Sequence, residues 1–500
     1  MFRRLLIANR GEIAVRIARA CREAGIAAVA VHSEADQGAL HVREADETVA
    51  LPGSSPAETY LNIPLLLESA RRSRCEAVHP GYGFLSENAD FAQAVTAAGL
   101  VFVGPPAETI RQLGDKTRAR QLARGAGAPV VPGYDGGGSD KEFQKEAKKL
   151  GFPVLVKAAG GGGGRGMRTV GSAAELSEAL ASARREAQGA FGDPRVFLEK
   201  FISSARHVEI QVLGDTLGRV IPLFERDCSI QRRHQKVIEE SPSPGLTDEL
   251  RGRMAATAVA AAKAAAYVNA GTVEFLLDPA SGEFYFLEMN TRLQVEHPVT
   301  EMLTGVDLVL AQLRLASGEP IDPAWAVAPS RGHALECRLY AEDPARDFAP
   351  SPGRILRWKA PEGPGVRVDA GYAEGDEVPL HYDSLLAKII VAAESREGAL
   401  RRMDRVLRET AVLGPVTNLG FLKAVLAHPV FRAGEAATDF LARHHSEGGE
   451  AAAPSDEILL AAALLASDGT VGPAAGAEAK AGAWDAHSSW SRSDRFRLGE

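Results

Sequence analysis

Cysteine is scarce in this chain, and so are excess positive charge and long apolar runs. The four cysteines are widely spaced with no CxxC pair, which argues against a zinc or disulfide framework and fits a reducing compartment. A formal net charge of −8 argues against a dedicated nucleic-acid or anionic-membrane binder. The apolar run "ILLAAALLA" at 458–466 is less than half a membrane span. We therefore expect a cytoplasmic protein with no nucleic-acid or membrane partner.

The chain does have length and a regular alternation of apolar patterns. Its 500 residues are too many for one hydrophobic core, so several domains are expected. In the first hundred residues, strand patterns such as "RLLIA" and "AAVAVH" alternate with helix patterns such as "EIAVRIARACREAG". In that helix Ile13, Ile17, Cys21 and Ala24 fall along one face. Short connections between such elements predict an α/β fold that begins with a Rossmann-like parallel sheet.

A glycine run, "KAAGGGGGRGM", lies between two strand patterns, "FPVLVK" and "MRTV". Gly161, Gly163 and Gly166 match GxGxxG, but a strand follows where a dinucleotide fold needs a helix. Met167 follows the last glycine, so a Walker A loop is excluded as well. The pattern favours a glycine flap over a triphosphate with Lys157 at its base, and a mobile surface hairpin is the alternative.

Two apolar runs, "TVEFLLD" and "EFYFLEMN", flank the turn signal "PASG". With Asp278 opposite Phe284, Glu274 falls directly across from Glu288. Two facing carboxylates repel each other, and a bound divalent cation would remove that conflict.

Alternation along the second strand predicts that Phe286, Glu288 and Asn290 share one face. The oxygen-only set of Glu274, Glu288 and Asn290 suits Mg²⁺ or Mn²⁺, which usually completes its shell with nucleotide phosphates. The alternative is a solvated strand edge with two ordinary glutamates.

Polar residues continue two apart beyond this hairpin. Arg292 offers a planar fork for a small oxyanion, Gln294 an amide and Glu296 a candidate general base. Each alone would be a surface salt-bridge residue, but beside a metal pair they indicate a site.

The stretch "ERDCSIQRRHQKVIEE" concentrates cations between residues 225 and 240. A solvated charged strand explains most such runs. Gln231, His234 and Lys236 are equally consistent with a pocket for ribose, phosphate or a small anion.

Eight stretches between residue 1 and about residue 445 read "IANRGEIAVRI", "HPGYGFLSEN", "GDKTRAR", "VKAAGGGGGRGMR", "RDCSIQRRHQKVIEE", "FLEMNTRLQVEHPVTE", "RLYAEDP" and "YDSLLAKI". Together they resemble the biotin carboxylase subunit or domain of biotin-dependent carboxylases, within the ATP-grasp superfamily. The resemblance implies an N-terminal α/β domain, an ATP-grasp part with a glycine-rich lid, an ATP-grasp body, a C-terminal α+β domain and a low-complexity tail. Their expected limits are 1–115, 116–205, 206–330, 331–446 and 447–500.

The resemblance also implies roles for individual residues. ATP would be bound by Lys116, Lys157, Gly162, Gly163, Gly164, Glu199, Lys200, His207, Gln231, His234 and Leu276. Magnesium or manganese would be held by Glu274 and Glu288 with Asn290 beside them. Bicarbonate would be held by Lys236, Arg292, Gln294 and the Val295 backbone, and Glu296 would deprotonate it. Arg338 would stabilise the biotin enolate.

The implied reaction is the first half-reaction of an acyl-CoA carboxylase, of the acetyl-CoA carboxylase type that serves fatty acid biosynthesis. Bicarbonate would attack ATP to give carboxyphosphate, which would then carboxylate biotin. The family attaches biotin to a lysine that follows methionine, whereas the six methionines of this chain precede other residues. Biotin is therefore expected on a separate carrier protein or on a further part of a longer subunit, and the tail resembles the linker of acyl-CoA carboxylase α subunits. A carboxyltransferase partner and a homodimer are expected too.

Three other functions compete with this interpretation. Another ATP-grasp ligase, which joins a carboxylate to an amine, would need the ATP residues but not Arg292, Gln294, Glu296 and Arg338. A catalytically idle nucleotide-binding scaffold would tolerate loss of Lys236 or Glu296, and both are present. A dehydrogenase would bind NADH.

Overall fold

The computed structural model describes residues 1–135, 137–160, 167–444 and residue 460. The chain divides into two compact units, 1–448 and 449–500, and all the helices and strands named below belong to the first. Within the described residues, no helix combines the length and apolarity needed to cross a bilayer.

The N-terminal part is a five-stranded sheet in which all neighbouring strands are parallel, with the order β3-β2-β1-β4-β5. Its elements are β1 (Arg4–Ile7), α1 (Gly11–Glu23), β2 (Ala27–His32), α2 (Leu40–Glu44), β3 (Glu47–Ala50), α3 (Ile63–Arg72), β4 (Ala77–His79), α4 (Ala89–Ala97), β5 (Val101–Phe102) and α5 (Ala107–Gly114). The predicted parallel sheet is confirmed. On α1, Ile13, Ile17 and Cys21 enter the core beside β1, as their helical spacing predicted.

A smaller unit, which we call the lid, consists of residues 130–204. Its four strands run antiparallel in the order β6-β9-β7-β8. Helix α6 (Lys116–Gly125) leads into β6 (Gly133–Tyr134), α7 (Asp140–Leu150), β7 (Val154–Ala158), β8 (Arg168–Val170), α8 (Leu176–Phe191) and β9 (Val196–Lys200). Strands β7 and β8 form the hairpin that the flanks of the glycine run predicted. The tip of that run, with Gly162, Gly163 and Gly164, lies outside the described residues.

The largest sheet has eight antiparallel strands in the order β14-β13-β10-β11-β12-β15-β22-β20. Its first part, which we call the body, contains β10 (Arg206–Gly214), β11 (Val220–Arg232), β12 (Gln235–Ser241), α9 (Asp248–Ala264), β13 (Asn269–Leu277), β14 (Phe284–Asn290), α10 (His297–Thr304), α11 (Leu308–Ala316) and α12 (Pro323–Ala326).

The C-terminal part continues this sheet through β15, β20 and β22, so the sheet crosses the expected boundary at residue 331. The remaining elements are β15 (His333–Tyr340), β16 (Glu342–Asp343), β17 (Ala349–Pro350), β18 (Gly353–Arg354), β19 (Arg357–Lys359), β20 (Val366–Ala370), β21 (Glu377–Val378), β22 (Leu385–Ala393), α13 (Arg396–Glu409), β23 (Ala411–Leu413), α14 (Leu419–Ala427), α15 (Pro429–Arg432) and α16 (Phe440–His444). The domain limits stay a prediction.

Alternation in β13 gives the body sheet two different faces. Val273, Phe275 and Leu277 pack into the core formed with α9. Successive side chains of a strand point to opposite faces, so Glu274 and Leu276 lie on the other side of the sheet. That second face carries the polar residues of the candidate site.

Candidate active site

Three glutamates form a row across neighbouring strands of the body sheet. Glu209 on β10 pairs directly with Glu274 on β13, and Glu274 pairs directly with Glu288 on β14. Like charges placed directly opposite each other destabilise a sheet unless cations neutralise them. The sequence predicted the Glu274–Glu288 pair and missed Glu209. Its strand, β10, is distant from β13 in the sequence and pairs with it only in the folded chain. We call these three residues the carboxylate row.

The predicted register of this hairpin is wrong at its turn. Leu277, not Asp278, lies opposite Phe284. The pairing shifts by one residue before the glutamates, because β14 contains one extra residue in a β-bulge. The bulge restores the predicted pairing of Glu274 with Glu288, so the conclusion holds although its starting point does not.

The same bulge corrects the prediction that Phe286, Glu288 and Asn290 share a face. Phe286 packs in the core, with its ring centroid 6.4 Å from that of Phe275. The extra residue reverses the alternation, which leaves Glu288 and Asn290 on the polar face.

Lys236 neutralises part of the row. Its Nζ lies 2.5 Å from Glu209 Oε2, 2.7 Å from Glu274 Oε1 and 2.7 Å from Glu296 Oε1. Burial alone would lower the pKa of Lys236, but the three carboxylates outweigh it and raise that pKa well above its ordinary value. The ammonium therefore stays charged and joins the carboxylate row to Glu296.

Glu274 accepts from several groups at once. Asn290 Nδ2 and Gln294 Nε2 donate to its Oε1 at 2.8 and 3.0 Å, and His207 Nε2 lies 3.1 Å from Oε2. Burial would raise the pKa of Glu274, but Lys236 and His207 hold it well below the ordinary value. Glu274 is therefore an ionised oxygen ligand at neutral pH.

Lys116 meets the row at its other end. Its Nζ lies 2.6 Å from Glu288 Oε2, and burial, which would lower its pKa, is outweighed by Glu288, which raises it. Lys116 begins α6, and Asp115 caps that helix by accepting from the backbone N–H groups of Thr117 and Arg118. The cap fixes the direction in which Lys116 leaves the helix.

The residues present fit a divalent cation. Glu274 and Glu288 offer carboxylate oxygens on adjacent strands, which is the donor chemistry that Mg²⁺ and Mn²⁺ prefer. Their ion-pair partners, Lys236 and Lys116, neutralise these two glutamates in this structure.

Replacing Glu288 with lysine is expected to abolish turnover. The new ammonium would face Lys116, now 2.6 Å from Glu288, and would occupy the place of a cation ligand. Initial rates across a magnesium titration check this, with the exposed Glu283→Lys on the same hairpin as the control. Activity retained in Glu288→Lys would refute the cation assignment.

The base of the lid holds a buried ion cluster. Glu199 on β9 contacts both Lys157 on β7 and Arg120 on α6. All three side chains are buried. Lys200 Nζ donates to the Gly151 carbonyl oxygen at 2.8 Å. Because Lys157 and Arg120 engage its carboxylate, Glu199 has chiefly its backbone N–H and C=O left to contact a ligand. The sequence did not predict that these two side chains contact Glu199.

Replacing Glu199 with glutamine is expected to loosen the lid. Buried Lys157 would lose the carboxylate that it contacts, which costs about 3 kcal/mol, while Arg120 would keep Asp135 as its counterion at 3.2 Å. Hydrogen exchange should therefore accelerate for the amides of β7 and β9. The half-exposed pair Arg168–Glu186 provides the control variant Glu186→Gln, for which no change is expected. Unchanged lid protection in Glu199→Gln would contradict the prediction.

The remaining predicted nucleotide residues lie between the lid and the body. Gln231 Nε2 is 2.7 Å from His207 Nδ1, and Leu276 pairs with His207 across β10 and β13. His234 forms the tight turn between β11 and β12 with φ of 68°. Its pKa is lowered by burial and by nearby Lys157, which places this turn beside the lid. The structure thus brings these residues together.

The segment after β14 is a loop and not a continuing strand. Arg292 Nε donates to Glu87 Oε2 at 3.0 Å, and Arg292 Nη1 donates to Gln294 Oε1 at 3.2 Å. Glu87 belongs to the "HPGYGFLSEN" stretch of the N-terminal part. The carbonyl oxygen of Val295 accepts from buried Lys388 Nζ at 2.9 Å. These contacts hold the loop between the N-terminal and C-terminal parts.

Glu296 stands at the end of this loop, immediately before α10, and is fully buried. Its Oε2 lies 3.0 Å from Arg338 Nη2, while Oε1 contacts Lys236. Burial would raise the pKa of Glu296, but Lys236 and Arg338 lower it below the ordinary value. The carboxylate is ionised at neutral pH, and any substrate that draws these cations away will increase its basicity.

Sequence reasoning missed four residues of this arrangement. They are Glu209, Glu87, Lys388 and Glu239, which contact the predicted residues from other strands or loops. Alternation in "HVEIQV" would have placed Glu209 on the polar face. The contacts of the other three depend on pairing between distant segments.

Three family models match consecutive stretches of the chain. They are "Biotin carboxylase, N-terminal domain" over residues 1–110, "Carbamoyl-phosphate synthase L chain, ATP binding domain" over 115–324 and "Biotin carboxylase C-terminal domain" over 336–443.

Related proteins agree with these matches. A biotin carboxylase of Nostoc is 51% identical over 441 residues, which cover 88% of this chain and 98% of the relative. The methylcrotonoyl-CoA carboxylase subunit alpha of Oryza sativa is 46% identical over 496 residues, covering 97% of this chain and 67% of the relative. The biotin carboxylase domain dimer of Hydrogenobacter thermophilus 2-oxoglutarate carboxylase, solved with MgADP and bicarbonate, has a TM-score of 0.87 at 45% identity, covering 90% of this chain and 99% of that chain.

The parallel sheet, the lid and the carboxylate row together define an enzyme of the ATP-grasp class. The chain belongs to the biotin carboxylase family. The predicted family, fold class and enzyme class are thereby confirmed.

Proposed function

We propose that this chain uses ATP and Mg²⁺, or Mn²⁺, to carboxylate biotin with bicarbonate through carboxyphosphate. The observation that carries the proposal is Lys236, which contacts both the carboxylate row and Glu296. One buried cation thereby links a site suited to metal and phosphate with a site suited to a small anion and its proton. The solved relative with MgADP and bicarbonate supports this pairing of ligands.

The nucleotide is proposed to lie between the lid and the body. Lys116 and Lys157 bind its phosphate oxygens, Gly162, Gly163 and Gly164 take part in the same binding, and the hinge at Glu199 and Lys200 meets the base. His207, Gln231, His234 and Leu276 line the remaining pocket. Phosphoryl transfer needs positioning and positive charge more than covalent chemistry, which suits this set.

Glu274 and Glu288, with Asn290 beside them, are proposed to hold the divalent cation. When bound, the cation would neutralise negative charge on the phosphates and release Lys116 and Lys236 from the glutamates.

Bicarbonate is proposed to bind beside Glu296, between Lys236, Arg292, Gln294 and the Val295 backbone N–H. Glu296 accepts the bicarbonate proton, and the resulting oxyanion attacks the γ-phosphorus of ATP while the bond to ADP breaks. These groups bind the anion and receive the proton without forming a covalent bond to it. A closed lid would exclude water from the labile carboxyphosphate.

The second step is proposed to take place at Arg338. Carboxyphosphate releases CO₂ and phosphate, and the phosphate removes the proton from the ureido nitrogen of biotin. That nitrogen then forms the new C–N bond with CO₂. The Arg338 guanidinium stabilises the negative charge that develops on the ureido oxygen.

The partners are proposed to be a carrier protein or domain bearing biotin, a carboxyltransferase and a second copy of this chain. The dimer of the solved relative supports the last of these. The final acceptor is proposed to be an acyl-CoA, with acetyl-CoA and fatty acid biosynthesis as one context. The rice relative, named for methylcrotonoyl-CoA, supports this choice, whereas the solved relative is named for 2-oxoglutarate, which is not an acyl-CoA. Four cysteines, all free and buried, support a cytoplasmic location.

Bicarbonate-dependent ATP hydrolysis in the presence of free biotin tests this function. The proposal requires that ADP release depend on bicarbonate and that biotin stimulate it. A ligase that joins a carboxylate to an amine would show neither dependence, and a scaffold would show no hydrolysis at all.

A further inference from the structure

Two carboxylates, Glu296 and Glu239, contact Arg338, and Glu239 has no role in the reaction steps proposed above. Glu296 contacts Arg338 Nη2, whereas Glu239 Oε1 lies 2.6 Å from Arg338 Nε and 2.5 Å from Nη2. Both N–H groups therefore contact one oxygen of Glu239, and this charge-assisted double contact restrains the guanidinium. Glu239 and Glu296 together orient Arg338.

Glu239 has a second acidic neighbour with no hydrogen bond of its own. Glu336 on β15 pairs directly with Glu239 on β12, and both side chains are fully buried. Three buried carboxylate oxygens of this pair have no hydrogen-bond partner among the described residues: both oxygens of Glu336 and Oε2 of Glu239. Directly opposed residues place their Cβ atoms about 4.5–5.5 Å apart, close enough for two carboxyl groups to meet.

Two buried carboxylates on directly paired positions repel each other when both are ionised, which favours protonation of one of them. Burial, only partly offset by Arg338, raises the pKa of Glu239 to about 7, and burial raises the pKa of Glu336 well above its ordinary value. Of the two groups, Glu239 is the one that stays ionised, because it contacts the Arg338 guanidinium directly.

We propose that Glu336 is a neutral carboxylic acid whose O–H donates a hydrogen bond to Glu239 Oε2 and so holds Glu239 against Arg338. Glu336 is a positioning residue, because it acts on the biotin step through Glu239 and Arg338. The proposal rests on the proposed function only in assigning Arg338 to that step; the protonation of Glu336 does not depend on it.

The arrangement predicts a decline in activity at alkaline pH. Below its raised pKa Glu336 is neutral; above it a second negative charge appears beside Glu239 and draws Arg338 away from Glu296. The charged and titratable groups on the elements packed around Glu336 are Glu239 on β12, Arg338 on β15, Lys388 on β22, Asp369 and Arg367 on β20, and Glu296, His297 and Glu301 at α10. Among these, Lys388 favours the ionised form of Glu336 most strongly, but burial outweighs it and the pKa of Glu336 stays raised. Glu12, Asp369 and the Val295 carbonyl oxygen also contact Lys388.

Two variants separate this role from simple packing. Glu336→Gln keeps the shape and supplies an N–H to Glu239 but cannot ionise, whereas Glu336→Leu leaves Glu239 Oε2 without a donor. We expect Glu336→Leu to lower kcat for biotin carboxylation about tenfold. Glu336→Gln should restore most of that loss and should abolish the alkaline decline that we predict for the wild-type enzyme.

Infrared difference spectroscopy provides a readout that needs no activity. The wild-type protein should show the carbonyl band of a buried protonated carboxyl group that is missing in Glu336→Gln and fades on alkaline titration. If wild type shows this band but does not carboxylate biotin, the proposed function fails while the protonation of Glu336 stands. An infrared spectrum unchanged in Glu336→Gln, or an alkaline decline that persists in that variant, would overturn the inference.

Discussion

Replacing Lys236 with methionine is expected to reduce biotin carboxylation about a thousandfold. Methionine keeps most of the side-chain length but removes a charge that three buried carboxylates share. Glu209, Glu274 and Glu296 would then repel one another with no common counterion. The loss should exceed that from an ordinary ion pair, because both halves of the site depend on this single ammonium.

The measurement is the steady-state rate at saturating ATP, with circular dichroism to confirm folding. Lys149→Met is the matched control, since Lys149 is exposed and, within the described part of the chain, forms its one ion pair with Glu146 at 2.6 Å. Lys236→Arg should also lose most activity, because a planar guanidinium cannot replace a compact ammonium among three carboxylates. A folded Lys236→Met with a loss below tenfold would show that Lys236 does not link the two halves.

Replacing Glu296 with glutamine is expected to lower kcat by about 10²–10⁴ and to leave ATP binding intact. Glutamine keeps the size of the side chain but cannot accept the bicarbonate proton. Lys236 retains Glu209 and Glu274, and Arg338 retains Glu239, so the neighbouring cations keep partners. The effect should therefore fall on the chemical step and not on the fold.

Two measurements separate these effects: calorimetric binding of a non-hydrolysable ATP analogue and bicarbonate-dependent ADP release. Exposed Glu283→Gln serves as the control, since it removes an equal charge from the turn of the β13–β14 hairpin. Bicarbonate-dependent ADP release at the wild-type rate in Glu296→Gln would mean that another group takes the proton.

Local patterns were enough to predict the N-terminal sheet and the lid hairpin. Strands and helices there alternate over short distances, and each contacts its near neighbours in the chain. The Glu274–Glu288 pair could also be predicted from the sequence, because a single turn joins the two strands that carry it. The bulge in β14 could not, since an extra residue in a strand leaves no clear mark in composition.

The rest of the site depends on distant segments. Glu209 joins the row through the pairing of β10 with β13, and Lys236 reaches it from β12. Glu336 and Glu239 occupy paired positions only because β12 and β15 are neighbours, although nearly a hundred residues separate them in the sequence. Sequence spacing cannot supply such pairings, whereas the family resemblance supplied residue roles without the contacts that explain them.

Transfer of [¹⁴C]bicarbonate to free biotin, with ATP and magnesium present, tests the central claim most directly. We expect label on biotin, isolated under alkaline conditions, that requires ATP, magnesium and biotin together and that is lost in Lys236→Met and Glu296→Gln. ATP binding without any labelled biotin in the folded wild-type chain, even when a biotinylated carrier is supplied, would contradict the claim.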